Sequence, residues 1–351
     1  MFLMRSPWKL PPPSPDREES LIPSGTGESE GSVGRVWRQP HRLGLPWKRL
    51  AQIAVLLVTA GFLAALVASQ WSALQAYDWH LTSGWALLAL LGLEVGWLVE
   101  LDTWRIILAS LGGPLSFRQA APIWFLSNII RYIPGNIWQF LGMAELAHDE
   151  GVPRLVTLIS IVLHQAISTA VGIVVAAIYF AVLGEGRWLG YLRPLLLLVP
   201  LGLLMLQPRI LEGVLNWTLR KLGRPPVRVT LTRGQIWILI ARYVVVWLAM
   251  GLSFAALVRA LTPLQPGHTL YLVASWAAAY VIGYLSLLTP AGLGVREGVL
   301  AVLLFPIMPQ PIAAVVAIMA RLWMTVGEVV GAGAGLGLRR ATKDEGPRTK
   351  E

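Results

Sequence analysis

Apolar residues run along this chain in blocks of about twenty or more, separated by short polar stretches, the length a helix needs to cross the hydrocarbon of a bilayer. The blocks predict spans at about residues 51–70, 84–110, 155–183, 194–207, 234–262 and 311–337. Two further apolar elements, at about 119–147 and 270–308, are irregular: RYIPGNIWQ interrupts the first and TPAGLGVREG the second. Split at Pro134-Gly135, each half of the first element has about fourteen residues, or about 21 Å of helix, against about 30 Å of hydrocarbon. Those halves read as half-helices. The first arm of the second element, 270–289, is long enough to cross. Residues 1–49, rich in Pro, Ser, Gly and charge, cannot bury a core and read as a disordered cytoplasmic tail. Residues 50–338 form the transmembrane domain, and 339–351 a basic cytoplasmic tail.

Charge decides between two topologies. Arg38, Arg42, Lys48 and Arg49 precede the first block, Arg209, Arg220, Lys221, Arg224, Arg228 and Arg233 fill the central loop, and RRATKDEGPRTKE ends the chain. If each irregular element dips in and returns, there are six full spans and all three basic stretches fall in the cytoplasm. If each crossed once, the central basic loop would lie outside, against the positive-inside bias. The fold class expected is therefore all-α: a polytopic protein of the cell membrane with about six full spans plus two re-entrant broken helices, both termini cytoplasmic. Composition agrees, with 55% hydrophobic and 14% charged residues, against roughly a quarter charged in soluble domains. A net charge of +10 does not imply nucleic acid, because the basic residues sit in tails and one loop rather than on a globular basic face. Trp71, Trp79, Trp85 and Trp188 lie beside the ends of apolar blocks, where indole favours the membrane interface. With no cysteine, disulfides, thiolate catalysis and thiolate metal sites are excluded.

The two irregular elements match at an offset of 156 residues: Pro134 falls on Pro290, Gly142 on Gly298 and Pro153 on Pro309. Ile129 meets Leu285 and Leu146 meets Val302, so apolar positions stay in phase. The charge topology brings the first element in from the cytoplasmic side and the second from the outer side. That is an inverted repeat of span, broken helix, span, an architecture that places transporter sites at the repeat interface near the midplane. Broken helices expose unpaired backbone groups, which hydrocarbon tolerates only where they are buried in protein or line a wet cavity.

The candidate substrate-binding residues follow from the breaks. In the first element they are Arg131, Pro134, Gly135, Asn136 and Gln139, an arginine beside a helix N-terminus being suited to phosphate or carboxylate. In the second they are Pro290, Gly292, Gly294, Arg296 and Glu297, the glycines allowing a ligand to approach the backbone. The alternative for Arg131 is that it pairs with a nearby carboxylate or carbonyl and holds the turn. Charge-coupling candidates are Glu94, Glu100, Asp102, Arg321 and Glu328. Asp102 and Arg105, three apart, can pair on one helical face, and Arg105 can also snorkel. Glu94 has no partner in its own helix and is a candidate counter-ion for Arg131, Arg242, Arg296 or Arg321, while Glu328 can pair with Arg321. Structural neutralisation competes with a transport role for each pair. His164, followed by Gln165, is the one deep histidine, and such a residue more often bonds one helix to another. No metal-ligand spacing, nucleotide loop or nucleophile elbow occurs, so no catalytic residue, metal or cofactor is expected.

RYIPGNIWQ and TPAGLGVREG together resemble the signatures GRYxPGKxW and PGGLGxRE of the lysylphosphatidylglycerol synthase transmembrane family, the flippase-like proteins related to the membrane portion of bacterial multiple-peptide-resistance proteins. The resemblance covers about residues 50–340. Ile130 stands for the glycine before the arginine, Asn136 for the common basic residue and Ala291 for a glycine. In two-part members aminoacyl transfer belongs to a separate soluble C-terminal domain, which this chain is expected to lack. The resemblance thus implies a transporter or flippase moving a phospholipid or lipid-linked head group between leaflets, not aminoacyl-lipid synthesis. The alternatives are a membrane enzyme or accessory subunit acting on a lipid-linked substrate, and a non-transporting scaffold. Membrane lipids with anionic head groups are the expected partners, nucleic acid is not, and a homo-oligomer or a separate enzyme partner is compatible.

Overall fold

Among the described residues, four helices are long and apolar enough to cross a membrane. The computed structural model describes residues 68, 71–79, 81–130, 138–180, 207–221, 223, 226, 231–286, 292 and 294–344. A short helix α1 (Trp71–Ala76) leads to α2 (Ser83–Ser110), followed by α3 (Phe117–Ile130), α4 (Trp138–Asp149) and α5 (Arg154–Ile178). After α6 (Pro208–Lys221) come α7 (Arg233–Leu261), α8 (Thr269–Leu285), α9 (Val295–Leu304) and α10 (Gln310–Asp344). Among the described residues there is no strand, and the fold is that of an all-α polytopic membrane protein. The long helices α2, α5, α7 and α10 start within a residue of the expected spans. The spans expected at 51–70 and 194–207 lie outside the described residues apart from Ala68 and Gln207, as do the tail 1–49 and residues 345–351. The C-terminal tail begins later than expected, since α10 continues through Arg339 and Arg340 to Asp344.

Both irregular elements are helical hairpins. In the first, Gln139 of α4 donates from Nε2 to Asn128 Oδ1 of α3 at 2.8 Å, and Gln119 near the start of α3 donates to Glu150 just beyond α4 at 2.9 Å. Those pairings run in opposite directions along the chain, so the arms are antiparallel. In the second, Tyr271 at the start of α8 donates its hydroxyl to the carbonyl of Leu303 at the end of α9, while Gly283 near the end of α8 meets Arg296 near the start of α9. At 14, 12, 17 and 10 residues, α3, α4, α8 and α9 extend only about 15–26 Å, short of about 30 Å of hydrocarbon. The first arm of the second hairpin is therefore shorter than expected. It stops at Leu285, and Ser286 turns extended.

The turn that closes the second hairpin needs glycine twice. Gly292 (φ +67°) and Gly294 (φ +83°) are left-handed, where a Cβ is disfavoured, and a Cβ on Gly292 would lie 2.6 Å from the carbonyl oxygen of Gly283. The carboxylate of Glu297 then accepts the N–H of Gly294 at 2.7 Å and ties the turn to α9.

The order span, hairpin, span occurs twice, as α2–α5 and α7–α10. The helix α5 starts at residue 154 and α10 at 310, a spacing of 156; α4 starts at 138 and α9 at 295, a spacing of 157. The equivalent spans α2 and α7 form the most extensive helix pair and are antiparallel: Thr82 N–H reaches Ala260 O at 3.0 Å, Ser253 donates to Ala89 O, and Arg242 reaches Asp102 at 2.5 Å. Each hairpin packs its first arm on the last span of the other half. Phe125 and Pro122 of α3 lie against Gly331 and Gly335 of α10; Val281 of α8 lies against Gly172 of α5. Antiparallel first spans and reciprocal hairpin contacts are the signature of an inverted repeat with its pseudo-two-fold axis across the spans. Small residues at these crossings bring backbones close, the usual way helices associate in lipid.

Candidate functional site

Between the two hairpins lies a cavity of about 380 Å³. Its wall draws on both halves: Trp97 and Glu100 of α2, Trp124 and Asn128 of α3, Gln139, Phe140 and Met143 of α4, and Ile161, His164 and Gln165 of α5. The second half supplies Tyr280, Tyr284 and Leu285 of α8, Ser286 and Gly292 of the turn, Arg296 of α9 and Arg321 of α10. Every position here is on, or adjoins, a packed helix, so the lining is fixed by the hairpin contacts already described.

The cationic side of the wall is built deliberately into aromatic surroundings. Arg296 is 6% exposed, and its guanidinium carbon stands 5.2 Å from the ring centres of both Trp276 and Tyr280, within cation–π range. Its Nη2 donates to Met324 Sδ. The two rings and Met324 hold a guanidinium that also lines the cavity. Arg321 approaches from α10, its Nε 4.0 Å from Oε1 of Glu297. Glu297 itself is buried and spends its other oxygen on the turn, so it steadies Gly294 and Arg321 from behind the cavity wall.

The first half supplies an acid and an imidazole to the lining. His164 is buried, and its Nδ1 lies 2.5 Å from the hydroxyl of Tyr243 on α7. Its Nε2 faces Oε1 of Glu100 at 3.6 Å. Trp124 meets the imidazole edge-on at 5.1 Å and fixes the ring plane. Asn128 and Gln139, bonded to each other, tie the first hairpin together at the same wall.

The sequence-expected residues thus divide. Gln139, Gly292, Arg296, Glu100 and Arg321 line one cavity, with Gly294 and Glu297 at the turn behind it. Arg131, Pro134, Gly135, Asn136 and Pro290 lie outside the described residues. Glu94 faces α10 near Gly327 and is not part of the lining, and its Oε1 has no hydrogen-bond partner among the described residues. Asp102 is occupied in a bridge: Oδ1 accepts from Arg105 at 2.7 Å and Oδ2 from Arg242 at 2.5 Å. Arg242 also donates to Thr103 at 3.0 Å, so it is Asp102, not Glu94, that it neutralises. Glu328, 2% exposed on α10, is not part of the lining. The cavity adds Trp97, Trp124, Asn128, Tyr280 and Tyr284, which sequence reasoning did not single out. Asn128 was findable as a polar residue inside an apolar arm; the aromatic rings carry no signal that separates lining from core. Among the described residues no group of three metal-binding side chains occurs.

The model of the family described as "Lysylphosphatidylglycerol synthase TM region" matches residues 50–331, which include both hairpins and the spans α2, α5 and α7. The chain belongs to that family, whose function is related to membrane lipids. Comparison with curated proteins and with solved structures finds no match.

Proposed function

On the premise of that family membership, we propose that the chain is a transporter that moves a phospholipid or lipid-linked head group between leaflets. The observation that carries this reading is a single cavity shared by two oppositely inserted hairpins, with two arginines, Arg296 and Arg321, on its wall. Its volume of about 380 Å³ suits a small polar head, with the acyl chains staying in lipid. Arginine edges suit phosphate oxygens through charge-assisted hydrogen bonds, and the aromatic faces behind Arg296 keep it in place when the cavity is empty. A site at the interface of inverted repeats is where rocking of one half against the other changes which side it opens to. The basic flanks support placement in the cell membrane with both termini cytoplasmic.

A second reading, a membrane enzyme or accessory subunit acting on a lipid-linked substrate, is favoured by His164 on the cavity wall. The two separate in proteoliposomes carrying labelled phosphatidylglycerol. The transport reading predicts leaflet exchange that is lost in Arg296→Gln, with the lipid chemically unchanged. Equal exchange in wild type, Arg296→Gln and empty liposomes would refute it, and a new lipid product would favour the enzyme.

A further inference from the structure

We propose that Glu100 and His164 form a proton-accepting pair in the cavity wall, and that occupancy by an anionic head group is linked to uptake of one proton by this pair. The inference rests on the head-group reading above and adds a coupling partner to it.

Hydrogen bonding defines the resting state. A phenol donates more readily than it accepts from an imidazole nitrogen, so Tyr243 O–H donates to Nδ1 of His164 at 2.5 Å. The ring proton then sits on Nε2, aimed at the carboxylate of Glu100 at 3.6 Å. Both residues line the cavity, and the Glu100 side chain, 16% exposed against 6% for His164, is the member of the pair more open to cavity water. Among the described residues, the titratable and charged groups around the pair are Tyr243 on α7, Tyr280 and Tyr284 on α8, Arg296 on α9 and Arg321 on α10. Arg242, next to Tyr243, is engaged by Asp102. From α3 and α4 the described residues offer uncharged side chains, Trp124, Asn128 and Gln139.

With Glu100 ionised and His164 neutral the pair carries one negative charge. One proton from cavity water converts it to a carboxylic acid beside a neutral imidazole, or to a carboxylate beside an imidazolium; either is neutral, and Tyr243 keeps its proton. A phosphate drawn to Arg296 and Arg321 enters the same small cavity as Glu100, where like charge favours the protonated pair. By reciprocity, protonation tightens binding of the anion by the same factor. A proton gradient would then bias the direction in which a loaded cavity reopens.

The test uses the full chain in nanodiscs of phosphatidylcholine, titrated with short-chain phosphatidylglycerol at pH 7.5, 6.5 and 5.5 and read by tryptophan fluorescence. The phosphodiester stays ionised throughout, so any pH dependence belongs to the protein. Wild type should bind about three- to tenfold more tightly per pH unit across the pair's titration, tenfold being the ceiling for one proton. Glu100→Gln should bind with an affinity that does not change with pH. His164→Gln, which keeps a polar side chain against Tyr243, should move the pH midpoint and so serves if Glu100→Gln fails to fold. A flat wild-type profile, or the wild-type slope retained in both variants, overturns the coupling while leaving the head-group site standing. Absence of phosphatidylglycerol binding at every pH overturns the head-group reading itself.

Discussion

Replacing Gly283 by alanine probes the contact that sets the second hairpin and aims Arg296. A Cβ built at Gly283 would lie 2.8 Å from Cβ and 3.3 Å from Cα of Arg296, whereas apolar carbon atoms prefer about 3.5–4.0 Å. The backbone of α9 cannot yield as a flexible side-chain tip would, so α8 and α9 must part by roughly 1 Å. Overpacking of this kind costs about 1–3 kcal/mol. The same displacement carries Arg296 off the two rings that hold it, and a 1 Å misplacement of a functional group can slow a step by about 10²-fold. Gly298, two residues beyond Arg296 in α9, is the control: it has nothing within 4 Å of an added Cβ, and alanine there gains up to about 1 kcal/mol of helix propensity. Thermal unfolding in detergent and lipid exchange in proteoliposomes should both suffer in Gly283→Ala and neither in Gly298→Ala. If Gly283→Ala melts and exchanges like wild type, the close antiparallel crossing described here is wrong. If it melts early but exchanges normally, the crossing stands and Arg296 is not the group that matters.

Three further outcomes are expected. Because the chain lacks cysteine, Gly92→Cys with Ser253→Cys should oxidise to a disulfide once the helices part by about 0.5 Å from a Cβ separation of 3.0 Å, whereas Gly92→Cys with Ala241→Cys should not; gel mobility before and after reduction reads the antiparallel register of α2 and α7. Asp102→Asn removes the carboxylate shared by Arg105 and Arg242 and should destabilise by about 1 kcal/mol, modest because the bridge is partly solvated, with a double-mutant cycle against Arg242→Gln showing non-additive loss. Tyr243→Phe leaves Nδ1 of His164 without its donor in a buried setting and should cost about 1–3 kcal/mol in unfolding, unlike Tyr284→Phe at the more exposed cavity edge.

Much of the architecture was legible because the bilayer imposes simple rules. The runs that became α2, α5, α7 and α10 are apolar on most faces and bounded by Thr, Pro or Arg, so their starts could be read to a residue. Pro134, Pro290 and the glycines around 292–294 marked the breaks, and the common offset pointed to duplication before any contact was known. The length of α8 was misjudged because nothing in LSLLTP forbids a helix through residue 289; it is the close approach of Gly292 to Gly283 that makes the chain leave the helix at Ser286. Side-chain partners were the least legible. Asp102 and Arg105 were paired correctly from their spacing of three, but Arg242 is 140 residues away, and only the antiparallel register of α2 and α7 brings it there. Likewise His164 meets Tyr243 and Glu100 from two other helices, so a lone histidine in the sequence is a three-helix junction in space. Glu297 was expected in the site because it lies at the second break, yet it is not part of the lining, and its carboxylate instead closes the turn at Gly294.

The claim at the centre of this account is that one cavity, shared by the two hairpins, holds a phosphate-bearing lipid head through Arg296 and Arg321. Native mass spectrometry of the protein purified in mild detergent measures it most directly. Wild type should carry a co-purified phospholipid that is released from the Arg296→Gln, Arg321→Gln double variant while Arg242→Gln retains it. Wild type free of lipid, or lipid retained equally by all three proteins, would contradict the account.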